Sequence, residues 1–159
     1  MSVYSSIHAA NNKTDILALP IRVGKHHLSL AVDTGASVNV ISEDSYNTLK
    51  RNSRGGKWIL RPSDLTLAGI TGSALNILGI ISLPIRLTKT AQPVPADFYV
   101  INNFKLPSDG LLGLKTMQSH RMVIYPKQNT VKYCGKHLTG MKDPTPLVFT
   151  HPNNGLIST

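Results

Sequence analysis

Apolar and polar residues alternate in short runs along most of the chain, and turn-forming residues separate the runs. Residues 16–23 read as a strand, with Gly24-Lys25-His26 as the turn after it. Leu28, Leu30 and Val32 alternate with Ser29 and Ala31, which predicts a second strand, and residues 38–41 predict a short third one. Ser42 can cap a helix running from Glu43 to about Lys50, with acids in its first turn and Lys50-Arg51 at its end. Residues 52–61 are polar, basic and glycine-containing, so a loop is expected there. Residues 65–68 and 74–78 then form the arms of a hairpin around Gly69-Ile70-Thr71-Gly72, whose glycines allow the positive φ of a tight tip.

Further strands are expected at 80–87 and 98–101, separated by a Pro93-Val94-Pro95 loop, and one or two helical turns at 114–120. A hairpin over 121–125 and 130–133 follows, across Pro126-Lys127-Gln128-Asn129. Beyond residue 135 no clear terminal strand is read, and after Gly140 the Pro-, Asn-, Thr- and Gly-rich sequence suits a tail or linker. The expected fold class is all-β, with one or two short helices. The expected domain spans 15–138, between a flexible segment 1–14 and a tail 139–159. One echo adds to this: Leu19-Pro20-Ile21-Arg22-Val23 is nearly repeated by Leu83-Pro84-Ile85-Arg86-Leu87, as two similar β units about a pseudo-twofold axis would require.

Composition narrows the class. At 159 residues and 41% hydrophobic content the chain has the length and apolar content of one cored domain, and 16% charged residues is too few for a polyelectrolyte. No apolar run is long enough to span a membrane, and the polar start lacks the apolar stretch of a signal peptide. Cys134 is the single cysteine, which excludes an internal disulfide and a Cys-based zinc site and suits a reducing, cytoplasmic home. His26-His27 lie in a predicted turn without a third ligand at metal spacing, so no metal and no cofactor is expected. The formal net charge of +9 favours acidic partners. Only Lys50, Arg51, Arg54, Lys57 and Arg61 cluster, around Trp58, and a solvated loop stands ahead of a nucleic-acid contact there. With eight acids in all, an Asp on an apolar strand needs a reason.

That Asp is Asp33, in Leu30-Ala31-Val32-Asp33-Thr34-Gly35-Ala36-Ser37. A strand end can hold a carboxylate partly desolvated yet within reach of a cleft, and Gly35 can offer it an N–H. One carboxylate is a poor catalyst of hydrolysis. Two, some 3 Å apart, share a proton, so that one serves as base and the other as acid. Downstream lie the glycine-tipped hairpin and Asp109-Gly110-Leu111-Leu112-Gly113, with a short helix behind.

In this order of motifs, over roughly residues 16–133, the chain resembles the retropepsins, the aspartic proteases of retroviruses and LTR retrotransposons. The Asp109 to Gly113 stretch is most similar to the Ty3/gypsy type. The resemblance implies an acid-protease barrel with one lobe per subunit. It matches Asp33 to the catalytic aspartate, with Thr34 and Gly35 completing its triplet, and Ala36 to a substrate-lining position. It matches Gly69, Ile70, Thr71 and Gly72 to a flap tip closing over bound peptide, and Leu111, Leu112 and Gly113 to the hydrophobic support of the active-site loop. Asp109 is then a structural companion of that loop.

Asp33-Thr34-Gly35 is the only Asp-Thr/Ser-Gly triplet, so an active site requires a second copy of the chain across a twofold axis. The implied protein is a homodimeric endopeptidase acting on a peptide or polyprotein. Its expected substrate is a retrotransposon Gag or Gag-Pol polyprotein, met in the cytoplasm or in a retrotransposon particle, or a host substrate if the copy is domesticated. No membrane partner is expected. Two departures stand out. Ser37 and Leu114 replace an Asp and an Arg that pair near the interface in many retroviral members, and losing both strands no charge. Lys115 stands where Asp or Asn is common, and nothing in the sequence explains it. The competing reading is a catalytically silent dimer of the same fold, binding peptide or, through its basic charge, nucleic acid.

Overall fold

The first strand, β1 (Ile16–Val23), buries Leu19, Ile21 and Val23 and leaves Pro20 exposed, so alternate residues enter the core. It turns at Gly24 into β2 (His26–Val32), which buries Leu28 and Leu30 in the same way. The structure is a computed structural model describing residues 16–53, 58–63, 67–68, 74–102, 106, 108–133, 136–139 and 141–143. After β2 come β3 (Asn39–Ser42) and α1 (Glu43–Asn52). The Ser42 side chain accepts from the Ser45 N–H at 3.1 Å, the cap its sequence predicts. β4 (Leu67–Ala68) pairs with the start of β5 (Ala74–Arg86), and β5 returns as β6 (Val94–Asn102). The chain continues through β7 (Gly110–Leu112), α2 (Leu114–Ser119), β8 (Met122–Tyr125), a 3-10 turn (Pro126–Gln128), β9 (Thr130–Tyr133), β10 (Lys136–Thr139) and β11 (Met141–Asp143).

Eight strands make one sheet in the order β11-β1-β2-β7-β3-β6-β5-β4, and a further β1–β5 pairing closes its six central members into a barrel. Strands β10, β9 and β8 form a separate small sheet. Exchanging β1 with β5, β2 with β6 and β3 with β7 turns the barrel order β1-β2-β7-β3-β6-β5 into its own reverse. The same exchange maps the parallel pair β2–β7 onto the parallel pair β6–β3. The echo in the sequence therefore marks a real pseudo-twofold, and its two arginines, Arg22 and Arg86, stand directly opposite each other where the barrel closes.

The central strands are buried on both faces. Leu30, Ile41, Phe98, Val100 and Leu112 fill the main core, whereas Ala31, Val40, Tyr99, Ile101 and Leu111 pack on the other side with Ala36 and Leu106. Successive residues of β7 thus serve different cores.

Three sequence expectations change. The segments read as 74–78 and 80–87 are one strand, β5, with a register irregularity between Ile77 and Gly79. Val94 and Pro95, expected in a loop, begin β6, and Pro95 faces Pro84 in register. Proline lacks a donor, but β1 meets β5 only at Ile85 and Arg86, and β3 meets β6 only from Phe98 onward. Both prolines therefore occupy stretches with one described neighbour, where a missing N–H costs little. Finally, β10 and β11 lie beyond residue 135. β11 adds to the free edge of β1 through Ile16, Leu17 and Ala18, a pairing set by a distant strand that local pattern does not show. Among the described residues, no helix is long and apolar enough to cross a membrane.

Gly110 is where β7 passes β3, and a Cβ there would overlap the Val40 carbonyl and meet Ile41 Cα at 2.8 Å. Gly110→Ala is expected to cost about 3 kcal/mol or more, lowering Tm by roughly 10 °C in a circular-dichroism melt. A Tm unchanged from wild type would mean that β3 and β7 do not approach so closely.

Candidate active site

Parallel pairing of β2 with β7 sets the position of Asp33. Leu30 lies beside Gly110 and Val32 beside Leu112, and the ladder ends with the Asp33 N–H donating to the Leu112 carbonyl at 3.0 Å. The chain then turns, with the Ala36 N–H bonded to the Asp33 carbonyl at 3.1 Å and the Gly35 N–H to Asp33 Oδ1 at 2.9 Å. Asp33 is 7% exposed, and its second oxygen, Oδ2, is buried without a hydrogen-bond partner. Burial raises its pKa to about 6, against the opposing pull of the Gly35 and Ala36 N–H groups. A carboxyl so placed exchanges its proton in mildly acid solution.

The loop after β7 is tied to the loop after β2. Leu114 N–H donates to the Ala36 carbonyl at 2.8 Å, and a Cβ on Gly113 would overlap the Val38 carbonyl, so only glycine lets the two loops touch. Gly113 N–H donates to Asn39 Oδ1 at 2.8 Å. The Asn39 amide nitrogen donates in turn to Thr116 Oγ1 at 2.7 Å and to the Asp97 carbonyl at 3.1 Å. Asn39 is thus a buried clamp joining β3, β6, β7 and α2. Sequence reasoning passed it over, although an Asn among Val38, Val40 and Ile41 is an unusual strand residue and was the available signal.

The expected site residues fall as follows. Asp33, Gly35, Leu111, Leu112 and Gly113 come together as described, with Thr34 half-buried between Asp33 and Gly35. Ala36 is fully buried against the second core, so in the single chain its methyl group faces protein, and its backbone is what it gives the loop. Gly69, Ile70, Thr71 and Gly72 lie outside the described residues, as does Cys134; of the hairpin, the arms β4 and β5 are described.

Asp109 is engaged elsewhere. Its Oδ2 accepts from the Ser29 N–H at 2.7 Å, its Oδ1 from Ser45 Oγ at 3.3 Å, and its carbonyl from the Ser42 N–H at 3.0 Å. It stands beside Ser29, four residues and roughly 13 Å of strand from Asp33, too far to share a proton with it. Around Asp33 two further features are unusual. Ser37 Oγ is buried without a partner, and Leu114 is a 37% exposed apolar side chain.

The basic run of the sequence does not form one patch. Arg61 pairs with Asp97 of β6 at 3.4 Å, Lys50 Nζ lies 5.9 Å from the Tyr46 ring centre, and Arg51 donates to Thr48 on its own helix. Arg54 and Lys57 lie outside the described residues.

This architecture matches that of known proteins. The crystal structure of the retroviral protease-like domain of Ddi1 from Leishmania major superposes with a TM-score of 0.58 at 21% identity, over 81% of this chain and 92% of that one. EIAV protease in complex with the inhibitor HBY-793 gives 0.46 at 18% identity, over 69% of this chain and 91% of that one. A retropepsin-like aspartic protease from Rickettsia conorii gives 0.43 at 15%, over 70% and 84%. No protein-family model and no curated protein matches the chain. The fold is that of a retroviral protease-like domain, a retropepsin-like barrel with Asp33 at the loop joining β2 to β3.

The raised pKa is also a statement about stability. Unfolded, Asp33 titrates near 3.8 and folded near 6, so its favourable contribution is complete below about pH 4 and is lost as pH rises to about 6. Ionisation then costs the fold about 3 kcal/mol. Asn keeps an acceptor for the Gly35 N–H but carries no charge. Asp33→Asn should therefore gain stability over wild type as pH rises from 4 to 6, with a plateau above, followed by denaturant melts across that range. Parallel pH curves for the two proteins would refute the buried carboxyl.

Proposed function

We propose that two copies of this chain form an aspartic endopeptidase, each contributing one Asp33 to a shared cleft. The observation that carries this reading is the Asp33 carboxyl itself. One oxygen is fixed by the Gly35 N–H, the other is buried and unpartnered, and the group holds its proton to about pH 6. A second such carboxyl, brought to about 3 Å by a twofold axis, would push the two proton losses apart, so that the pair keeps one proton in mildly acid solution.

In the mechanism the ionised carboxylate takes a proton from a water held between the two groups. The water oxygen attacks the scissile carbonyl carbon, and the protonated carboxyl gives its proton to the carbonyl oxygen. A neutral gem-diol results. Its collapse breaks the C–N bond as a proton passes to the departing nitrogen. Thr34 would reach across to the partner subunit. Flap residues Gly69, Ile70, Thr71 and Gly72, carried on β4 and β5, would close over a peptide bound in extended form and exclude bulk water. The substrate we assign is a polypeptide, and the natural one a retroelement Gag or Gag-Pol polyprotein, or a host polypeptide in a domesticated copy. Exposed Leu114 beside the Asp33 loop supports an apolar subunit contact in place of a charged pair.

Wild-type protein should cleave members of a Gag-derived peptide panel fastest near about pH 5, with pepstatin blocking the reaction. Cleavage should fall above about pH 6 as the shared proton leaves, and Asp33→Asn should lower kcat by about a thousandfold or more. Absence of cleavage by a preparation that sedimentation shows to be dimeric would sink the reading. Leu114→Glu should dissociate the dimer, with cleavage recovering as protein concentration is raised. Sedimentation equilibrium unchanged by that substitution would remove Leu114 from the interface.

A further inference from the structure

Three basic side chains cross the barrel seam in register, at the end remote from Asp33. Arg22 of β1 lies directly opposite Arg86 of β5 on one side and His27 of β2 on the other. Residues directly opposite on antiparallel strands share a face, and Ile21, Val23, Leu28 and Ile85 between them fill the interior, so the three basic groups share the outer face. Strand spacing sets the Cα atoms of adjacent members of this row on the order of 5 Å apart. Arg86 Nη2 donates to the Gly24 carbonyl at 3.2 Å, which holds its guanidinium against the hairpin turn where Lys25 is exposed.

Like charges facing each other across a ladder oppose its formation. Yet among the described residues neither Arg22, Lys25 nor Arg86 forms an ion pair. The described acids are largely committed elsewhere. Asp33 and Asp109 serve the loops described above, Asp97 is taken by Arg61 and Ser82, and Glu43 lies at the start of α1. Asp44 comes to this end, where it and the already hydrogen-bonded Asp109 line a niche with His26 and His27, apart from Arg22, Lys25 and Arg86. Beside the turn is a second niche of about 140 Å³, lined by Val23, Lys25, His26, Leu49, Asn52 and Trp58.

We infer that this end of the barrel binds single-stranded nucleic acid, with Arg22, Arg86 and Lys25 on successive phosphates and a base entering the niche against Trp58. Lys25 and Gly24, whose carbonyl Arg86 holds, line the niche, and cations at the rim of an aromatic-lined hollow fit a chain that alternates anionic linkers with planar rings. An acidic peptide would satisfy the cations but offer the niche no regular planar group. An anionic membrane would use the cations together with Ile59, which is 76% exposed next to Trp58, and vesicles are therefore the competing arm of the test. The surface is independent of the proposed protease site, because the seven residues of β2, roughly 23 Å, separate His26 from Asp33.

The test is fluorescence anisotropy with a labelled oligouridylate of about 20 nucleotides, titrated with the full chain between about 50 and 200 mM salt, beside vesicles containing phosphatidylserine. Wild type should bind with steep salt dependence and quench Trp58, the chain's one tryptophan. The double substitution Arg22→Ser with Arg86→Ser should weaken binding about tenfold at the lower salt and reduce the log–log salt slope by about 1.4, two single-strand phosphate contacts. Arg22→Lys with Arg86→Lys should keep the slope. If the serine pair does not fold, Lys25→Ser on the exposed turn carries the test and should reduce the slope by about 0.7. Absence of oligonucleotide binding at about 50 mM salt, affinity and slope unchanged in the serine variants, or capture by vesicles without oligonucleotide binding would each overturn the assignment.

Discussion

The site depends on one hydrogen bond, from the Asp33 N–H to the Leu112 carbonyl. It is the last rung of the parallel β2–β7 ladder, and it fixes the height at which the chain leaves the sheet. Beyond it, three further backbone N–H groups tie the loops together. Gly113 N–H goes to Asn39, Leu114 N–H to the Ala36 carbonyl, and Ala36 N–H to the Asp33 carbonyl. With these groups satisfied, the two loops have little freedom to separate. The carboxyl therefore inherits its position from backbone geometry, and a side-chain change nearby moves it only by breaking one of these rungs.

Burial that perturbs Asp33 also weighs on the fold. A charged oxygen without a partner opposes folding at neutral pH, and the structure accommodates it by burying apolar strands on both faces around it. Ala31, Val40, Ile101 and Leu111 lie on the outer face of strands that would face solvent in a simple barrel. A second core beneath the loops gives packing energy at the place where the acid takes it away. The glycines tolerate no replacement there for the same reason, since the loops touch through backbone atoms.

Much of this was legible in the residues, for reasons that also mark the boundary. Alternation in β1 and β2 is visible because one face is core and the other is solvent. The Asp33 triplet and the Leu111-Leu112-Gly113 stretch could be read because their chemistry is compressed into adjacent positions. Asn39 could not, since its partners Gly113 and Thr116 lie more than 70 residues away and only the folded chain shows that its amide is satisfied. Pro84 and Pro95 argued locally for a loop, yet their strands run where one neighbour suffices. β11 earns its place only from the free edge of β1. The basic run at 50–61 was conspicuous in sequence but is divided in space, whereas Arg86, far along the chain from Arg22 and His27, becomes the neighbour of Arg22 in register.

The internal twofold explains why one chain does not complete the proposed site. Under the exchange that reverses the barrel order, the end of β2 corresponds to the end of β6. Asp33 follows β2, but β6 ends at Asn102, whose Oδ1 accepts from Asn76 at 2.8 Å, and no Asp or Glu occurs between Asp97 and Asp109. The scaffold is duplicated and the acid is not. Asp97 points its carboxyl to Arg61 and Ser82, and Asp109 is held at Ser29 and Ser45, so neither described acid of that half is free to take the second place. A shared-proton mechanism needs two equivalent carboxyls at contact distance. Since neither described acid of that half is placed to serve, the proposed mechanism takes its second carboxyl from a second copy of the chain. The homodimer is thus part of the proposal, and the internal twofold of the barrel does not make one lobe into two.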